Sequence, residues 1–185
     1  MLLSRNDYSR PGTIMGAVLA VIMHYTQAPG WSAENLRDYF EGLKSGREGR
    51  SAGAHYGIDE DESILMIPHR ETAYHCGSGS KYPIGYTEFA QNFFGVYPNS
   101  CTIGIEMCIN LKSELSARTV DNARAIATIV CMKYSLDPLT QILRHHDVTG
   151  KFCPISWVQH PEELAAFRES VKKTMEEMAE RGQPA

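Results

Sequence analysis

The pattern of apolar and polar positions divides the chain into segments typical of buried strands and amphipathic helices. A continuous run rich in Val and Ile predicts a strand buried on both faces, and alternation of apolar and polar residues predicts a half-buried one. The predicted strands cover residues 17–23, 54–58, 63–67, 102–109 and 141–144. Because the second and third flank the acidic turn 59–62, we expect them to form a hairpin.

Helical periodicity marks three further segments. The first begins after Ser32, a favourable N-cap residue, and stops at Gly46. The second covers about 118–134, and the third opens with Pro161 in the first turn. The intervening residues 44–53 and 68–100 are rich in turn-forming residues and have little periodicity, so we expect exposed loops and a long irregular segment that forms a binding surface.

Strands interleaved with helices predict an α/β fold with a central sheet covered on both faces. The expected hairpin makes that sheet mixed rather than purely parallel. A chain of 185 residues is long enough for one full hydrophobic core. We therefore expect a single domain over 1–185, with a core at about 12–170 and a C-terminal helix at about 161–180.

Composition narrows the range of partners. The chain is 43% hydrophobic and 22% charged, values that are ordinary for a globular protein. Its net charge of −4 gives no basic field for a phosphate backbone, so we expect no nucleic-acid partner. The oligomeric state is left open by these features.

The apolar run 14–23 is the one segment that resembles a signal peptide. It is shorter than the ~20 residues that a membrane span needs, and no small-residue cleavage site follows it. We expect neither a signal peptide nor a membrane span. The predicted site of synthesis is the cytoplasm.

Three side chains far apart in the sequence form a candidate zinc site. His24 closes the first apolar strand, and His145 and Cys153 lie within one loop-like stretch near the end of the chain. Zinc takes neutral imidazole and thiolate in a tetrahedral shell, and a hydrolytic site keeps the fourth position for solvent. The sequence therefore predicts one Zn²⁺ bound by His24, His145 and Cys153.

Other interpretations of these residues remain open. A single histidine after an apolar strand is more often structural, and a cysteine in a core is usually an inert small hydrophobe. We expect the latter for four cysteines, which are Cys76, Cys101, Cys108 and Cys131. Cys153 and His145 could instead form a thiol hydrolase, or the zinc could be purely structural.

Glu106 is the candidate general base. It lies at the centre of the apolar segment 103–109, where an unpaired charge is costly. Hydrolysis at zinc requires a group that takes the proton of the attacking water. The alternative is that Glu106 faces solvent across a half-exposed sheet.

The pattern resembles the zinc-dependent N-acetylmuramoyl-L-alanine amidases of the amidase_2 and peptidoglycan-recognition-protein type. The resemblance rests on the apolar strand that ends at His24, on Ile-Gly-Ile-Glu at 103–106, and on His145-His146-Asp147 followed by Lys-Phe-Cys-Pro at 151–154. It covers roughly 12–170 and selects His145, rather than His146, as a ligand. The family fold agrees with the predicted mixed sheet.

The resemblance implies roles for further residues. Lys151 would stabilise the oxyanion beside Glu106 as a catalytic residue, and Asp147 would accept a hydrogen bond from a ligand imidazole or from nearby backbone. His75, Tyr74 and His55 would contact substrate, and we expect His75 to be the better candidate. A tyrosine that the phage branch uses is replaced here by Ala54 before His55, so Glu106 would carry more of the catalysis.

The implied activity is hydrolysis of the amide between N-acetylmuramic acid and L-alanine in peptidoglycan, by a phage lysin or bacterial autolysin. Two alternatives remain: a non-catalytic peptidoglycan-binding module of the same fold, and a cytosolic amidase that recycles muropeptides. The resemblance thus implies action on the cell wall after release or export by another route, or on cytosolic muropeptides.

Overall fold

The computed structural model describes residues 1–77, 85–95 and 97–182. Its strands are β1 (Ala20–Tyr25), β2 (Tyr56–Ile58), β3 (Ser63–Leu65), β4 (Thr102–Met107) and β5 (Ile142–Arg144). Its α-helices are α1 (Ala33–Gly42), α2 (Glu88–Phe94), α3 (Ala117–Tyr134), α4 (Pro138–Gln141), α5 (His145–Thr149), α6 (Ile155–Gln159) and α7 (Pro161–Glu180). Short 3₁₀ turns occupy Leu43–Ser45 and Pro98–Ser100.

The five strands form one mixed sheet in the order β3-β2-β4-β1-β5. β1 lies between β4 and β5 and is parallel to both, and only the β2–β3 pair is antiparallel. The expected hairpin is therefore confirmed, and so is the α/β class with a mixed sheet. The carboxyl ends of β1, β4 and β5 meet at one edge of the sheet, which is where parallel α/β sheets place their ligand sites.

Alternation along β1 and β4 sends successive side chains to opposite faces of the sheet. Val21 and Met23 on β1, with Ile103 and Ile105 on β4, pack in one cluster with α3 and α7. Ala20 and Ile22 face the other side, toward α2 and α5. His24 continues this second face, so the same alternation that buries the strand delivers a polar side chain into a covered layer.

The helix α1 follows the sequence prediction closely. The Ser32 side chain accepts a hydrogen bond from the backbone N–H of Asn35 at 3.1 Å, and the Asn35 Oδ1 accepts one from the Ser32 N–H at 3.1 Å. This capping box supplies partners to amide groups that the first helical turn leaves free. Leu36 and Phe40 are buried, as the apolar periodicity predicts.

Among the differences between the predicted and observed elements, two concern β1 and the segment 68–100. The first strand starts at Ala20 rather than residue 17 and includes His24 rather than ending before it. The segment 68–100, predicted to be irregular, contains α2, whose N-cap Thr87 accepts a hydrogen bond from the Ala90 N–H at 3.1 Å. A two-turn helix is too short to show a clear helical period in sequence. No helix within the described residues has both the length and the apolar character that crossing a membrane requires.

Candidate metal centre

The structure brings the three predicted metal ligands together at the carboxyl edge of the sheet. His24 is the fifth residue of β1, and His145 directly follows β5, the neighbouring parallel strand. Cys153 lies in the loop between α5 and α6. All three side chains are buried, and their ligand atoms lie within 4.8 Å of one another.

The distances fit a tetrahedral zinc ion. The Nδ1 atoms of His24 and His145 are 3.1 Å apart, and the Cys153 Sγ is 3.9 Å from the His24 Nδ1. With Zn–N bonds of about 2.05 Å and a Zn–S bond of about 2.3 Å, tetrahedral geometry places two nitrogens about 3.3 Å apart and nitrogen and sulfur about 3.6 Å apart. The donor set of two imidazoles and one sulfur is the kind that zinc prefers.

The loop that carries His145 and Cys153 is closed by its own hydrogen bonds. Asp147 accepts one from the Arg144 backbone N–H at 2.8 Å and pairs with the Arg144 guanidinium at 2.6 Å. α5 ends at Gly150, whose φ of 76° lets the chain reverse. The His146 N–H then donates to the Cys153 carbonyl at 3.1 Å. Asp147 thus accepts a hydrogen bond from a backbone N–H, the second of its two predicted partners, rather than from an imidazole.

Burial sets the protonation of the ligands. Desolvation lowers the pKa of His24 well below its usual value and that of His145 to about 3, so both imidazoles are neutral and able to bind metal. Desolvation also raises the pKa of the Cys153 thiol to about 12. A nucleophilic cysteine needs a lowered pKa, so this environment argues against the thiol-hydrolase alternative. Metal binding at this thiol would release its proton.

Glu106 lies beside the ligand cluster. It pairs with His24 in the parallel register of β1 and β4, and both side chains face the same side of the sheet. Its Oε2 atom is sealed from solvent and has no hydrogen-bond partner among the described residues. Burial raises the pKa of the Glu106 carboxyl to about 7, and the Lys151 ammonium partly opposes that shift. Glu106 as a whole is half-buried, and the predicted alternative of a solvent-facing carboxylate does not agree with its sealed Oε2 atom.

His55 links β4 to the segment that follows β3. It is 0% exposed, and its two ring nitrogens lie 3.0 Å from the Glu71 carbonyl and 3.0 Å from the Gly104 N–H. Both nitrogens are therefore engaged by backbone groups. Substrate contact by His55 stays a prediction.

His75 is also buried, at 7% exposure, and lies next to the metal ligands instead of in an open cleft. Its Nδ1 is 3.0 Å from the His24 Nε2 and 3.1 Å from the Cys76 Sγ. The structure thus places His75 against the candidate ligand His24, and its substrate contact stays a prediction. Tyr74 is only half-buried, so its predicted role in substrate binding stays a prediction.

Sequence reasoning missed Cys76 and Thr102 as neighbours of the site. His24, His75 and Cys76 form a second buried group whose ligand atoms lie within 4.8 Å of one another. Thr102 reaches the far side of the His75 ring, with its Oγ1 3.2 Å from Nε2. Gly104, a glycine inside a strand, was the available signal, because such a glycine often marks a close approach.

Comparison with known proteins identifies the family of this chain. The family model for N-acetylmuramoyl-L-alanine amidases of the amidase_2 type matches residues 15–156. The chain is 36% identical over 166 residues to "N-acetylmuramoyl-L-alanine amidase CwlL" of Bacillus licheniformis, covering 90% of this chain and 44% of that protein. It is 33% identical over 172 residues to "N-acetylmuramoyl-L-alanine amidase BlyA" of Bacillus subtilis (strain 168), covering 92% and 45%. The chain thus spans less than half the length of these curated relatives.

The fold also matches solved structures. The structure of PlyL superposes with a TM-score of 0.72 at 20% identity, covering 92% of this chain and 94% of that one. At this identity the likeness concerns the fold alone. Together with the family match across most of the sequence and the identity to the Bacillus proteins, it shows that the chain belongs to the amidase_2 family of N-acetylmuramoyl-L-alanine amidases.

Proposed function

We propose that this chain is a zinc-dependent amidase that hydrolyses the bond between the lactyl group of N-acetylmuramic acid and L-alanine in peptidoglycan. The observation that carries the proposal is the convergence of His24, His145 and Cys153 beside the half-buried Glu106, whose Oε2 atom is sealed from solvent. The names of the Bacillus relatives support the choice of bond. When bound, the zinc ion supplies a Lewis acid that polarises the amide carbonyl and acidifies water.

Glu106 performs the proton transfers. Its carboxylate takes a proton from the attacking water as the new C–O bond forms, and it returns a proton to the L-alanine nitrogen as the C–N bond breaks. The products are a muramic acid carboxylate and a free amine. A pKa of about 7 suits both directions near neutral pH, because the group can accept and release a proton with little cost.

Lys151 contributes charge at the same place. Its ammonium is close enough to Glu106 and His145 to lower the pKa of both groups. A fixed positive charge stabilises the negative charge that develops on the carbonyl oxygen. We assign stabilisation of the carbonyl oxygen to Lys151 and transfer of the proton to Glu106.

Glu106→Gln tests the assignment, because glutamine keeps the shape and cannot act as a base. We expect the zinc content per chain to remain unchanged and the turnover on purified peptidoglycan to fall by about 10²-fold or more. Mass spectrometry of peptidoglycan digested by the wild-type enzyme should show new free L-alanine amino groups and intact lactyl-bearing glycans. The matched control is Glu60→Gln in the exposed turn before β3, which should retain full activity.

Several results would remove the proposal or replace it. Unchanged turnover in Glu106→Gln would exclude Glu106 as the base. Masses from glycosidic or stem-peptide cleavage would assign another bond, and wall binding without products would indicate the non-catalytic module. A zinc enzyme should also lose activity on chelation and regain it on addition of Zn²⁺. A thiol hydrolase would stay active with chelators and be inactivated by iodoacetamide.

The proposed reaction is the same for a phage lysin, a host autolysin and a cytosolic recycling enzyme. Intact sacculi and soluble muropeptides separate these settings experimentally. We propose the cell-wall polymer as the substrate, so sacculi should be hydrolysed faster than isolated muropeptides. The reverse preference would favour the recycling amidase.

A further inference from the structure

His24 presents its two ring nitrogens to two different groups. Nδ1 faces the His145 Nδ1 at 3.1 Å and the Cys153 Sγ at 3.9 Å, whereas Nε2 faces the His75 Nδ1 at 3.0 Å. A neutral imidazole has one N–H and one lone pair, and only the lone pair can bind a metal. The position of a single proton on His24 therefore decides which group can hold an ion.

The position of that proton follows from the hydrogen bonds on the far side of His75. They involve the Thr102 hydroxyl and the backbone carbonyls of Pro98 and Thr102. The Thr102 hydroxyl lies 2.7 Å from the Pro98 carbonyl, which can only accept, so the hydroxyl donates its one hydrogen there. The same oxygen lies 3.2 Å from the His75 Nε2, and the Thr102 carbonyl lies 3.4 Å from it. Both oxygens can now only accept, so the His75 Nε2 must carry the hydrogen.

The remaining assignments follow in order. With its proton on Nε2, a neutral His75 ring has a lone pair on Nδ1, and this atom accepts a hydrogen bond. The His24 Nε2 at 3.0 Å is then the donor, which leaves the lone pair of His24 on Nδ1. That atom is the one that faces His145 and Cys153. Both rings stay neutral because charging a buried imidazole without a partner is costly.

We infer that His75 is a positioning residue for the metal site: the chain from the Pro98 carbonyl through Thr102 and His75 holds His24 in the tautomer whose Nδ1 can bind metal. Histidine ligands commonly donate their second N–H to a neighbouring acceptor, which fixes the ring and its tautomer. Here the acceptor is a second imidazole whose own orientation is set by backbone. The metal-binding part of this inference rests on the proposed function, whereas the tautomer does not.

The sequence around Thr102 is shaped to seat the His75 ring. Thr102 and Gly104 lie on the same face of β4, and a Cβ built on Gly104 would lie 2.5 Å from the His75 Cγ. No side chain larger than hydrogen fits there while the ring stays in place. Asn99 holds the other end, since its Oδ1 accepts from the backbone N–H groups of His75 at 3.2 Å and Cys76 at 2.7 Å.

Cys76 offers a competing arrangement. Its Sγ is 3.1 Å from the His75 Nδ1, so the thiol and the His24 Nε2–H point at one lone pair. The imidazole N–H is the stronger donor, because a thiol donates only weakly. The opposite tautomer of His24 would turn its Nε2 lone pair toward His75 and Cys76 and favour an ion there instead. The two arrangements differ in whether the His24 Nε2 or the His24 Nδ1 carries the hydrogen, which can be measured.

Nitrogen-15 NMR of the imidazole rings measures that proton directly in the wild-type protein. In the metal-free state we expect His24 and His75 both to carry hydrogen on Nε2. On addition of Zn²⁺, the His24 Nδ1 resonance should shift while the His75 tautomer stays the same. Hydrogen on the His24 Nδ1, or a zinc-dependent shift at the His24 Nε2, would overturn the inference.

Variants at Thr102 and His75 test the consequence for metal affinity. Thr102→Val removes the hydroxyl and keeps the shape, and Thr102→Ser is the matched control because it keeps the hydroxyl. Zinc affinity, measured by competition with a chelator on folded protein, should fall about 10-fold or more in His75→Ala and measurably in Thr102→Val. Thr102→Ser should match the wild type, and His75→Gln should recover part of the loss because its amide oxygen can accept from His24.

The outcomes separate this inference from the proposed function. Folded Thr102→Val and His75→Ala proteins that bind zinc as tightly as the wild type would overturn the positioning role. A wild type that has the expected tautomers and binds zinc, but hydrolyses no wall amide, would overturn the function alone. If a variant fails to fold, the spectrum of the wild type still decides the tautomer.

Discussion

Glu71 is a fully buried carboxylate that ties the N-terminal segment to the fold. It pairs with the Arg10 guanidinium at 2.7 Å and with the more exposed Arg5 at 3.2 Å. These ion pairs hold the pKa of the Glu71 carboxyl below its usual value. The same segment places Leu3 in a hydrophobic cluster with α1. Residues before the predicted core at 12–170 therefore contribute contacts to the fold.

Glu71→Gln should destabilise the protein strongly. The substitution leaves the largely buried Arg10 without a counter-charge, and removing one partner of a buried pair typically costs about 3–5 kcal/mol. Urea unfolding at pH 7 measures the loss. The control is Asp38→Asn, which breaks the exposed pair with Arg37 and should cost below about 1 kcal/mol. Equal effects of the two variants would contradict this account.

At the residue scale, sequence pointed to candidate metal ligands but not to their neighbours. His24, His145 and Cys153 carry chemistry that zinc requires, and the family resemblance selected His145 rather than His146. His55 and His75 have the same chemistry, yet the structure gives them backbone and imidazole partners. Those partners come from β4 and the segment after β3, so they depend on packing that residue type does not encode.

At the element scale, the strands and the long helices were predictable and the short helices were not. The apolar runs predicted β1 and β4, and helical periodicity predicted α1, α3 and α7, because their patterns repeat over several turns or alternations. The helices α4, α5 and α6 have four or five residues each, fewer than two turns. Their positions are set by the chain connections around β5 rather than by a repeating pattern.

The two faces of β4 show how one strand serves packing and site together. Ile103, Ile105 and Met107 face the core that α3 and α7 cover. The alternate residues Thr102 and Gly104 seat His75, and Glu106 follows beside His24. The sequence revealed Glu106 because a charge stands out in an apolar strand. The sequence did not reveal that Thr102 and Gly104 contact the His75 ring, because a single threonine or glycine in a strand gives no distinctive signal.

At the scale of the whole molecule, burial holds most of the histidines neutral. The pKa is lowered to about 4 for His69 and about 3 for His75 and His145, and well below the usual value for His24 and His55. In the unfolded chain these groups titrate near 6.5. Between about pH 6.5 and 4 the unfolded state therefore binds protons that the native state excludes. The stability they confer is complete above that window and is lost as pH falls through it.

We expect the urea midpoint of the metal-free protein to fall steeply from pH 6.5 to pH 5. Each proton that the chain takes up on unfolding adds about 1.4 kcal/mol per pH unit to the slope. His69→Gln removes one titrating group outside the ligand cluster, and its slope should be lower by about one proton. A midpoint that stays constant between pH 7.5 and pH 5 would contradict the neutral histidines.

The central claim is that His24, His145 and Cys153 share one zinc ion. X-ray absorption at the zinc edge of the loaded protein tests it most directly. The account predicts one zinc per chain with two imidazole nitrogens at about 2.0 Å and one sulfur at about 2.3 Å, and loss of the sulfur signal in Cys153→Ser but not in Cys76→Ser. A zinc shell without sulfur, or a sulfur signal that disappears with Cys76 instead, would contradict it.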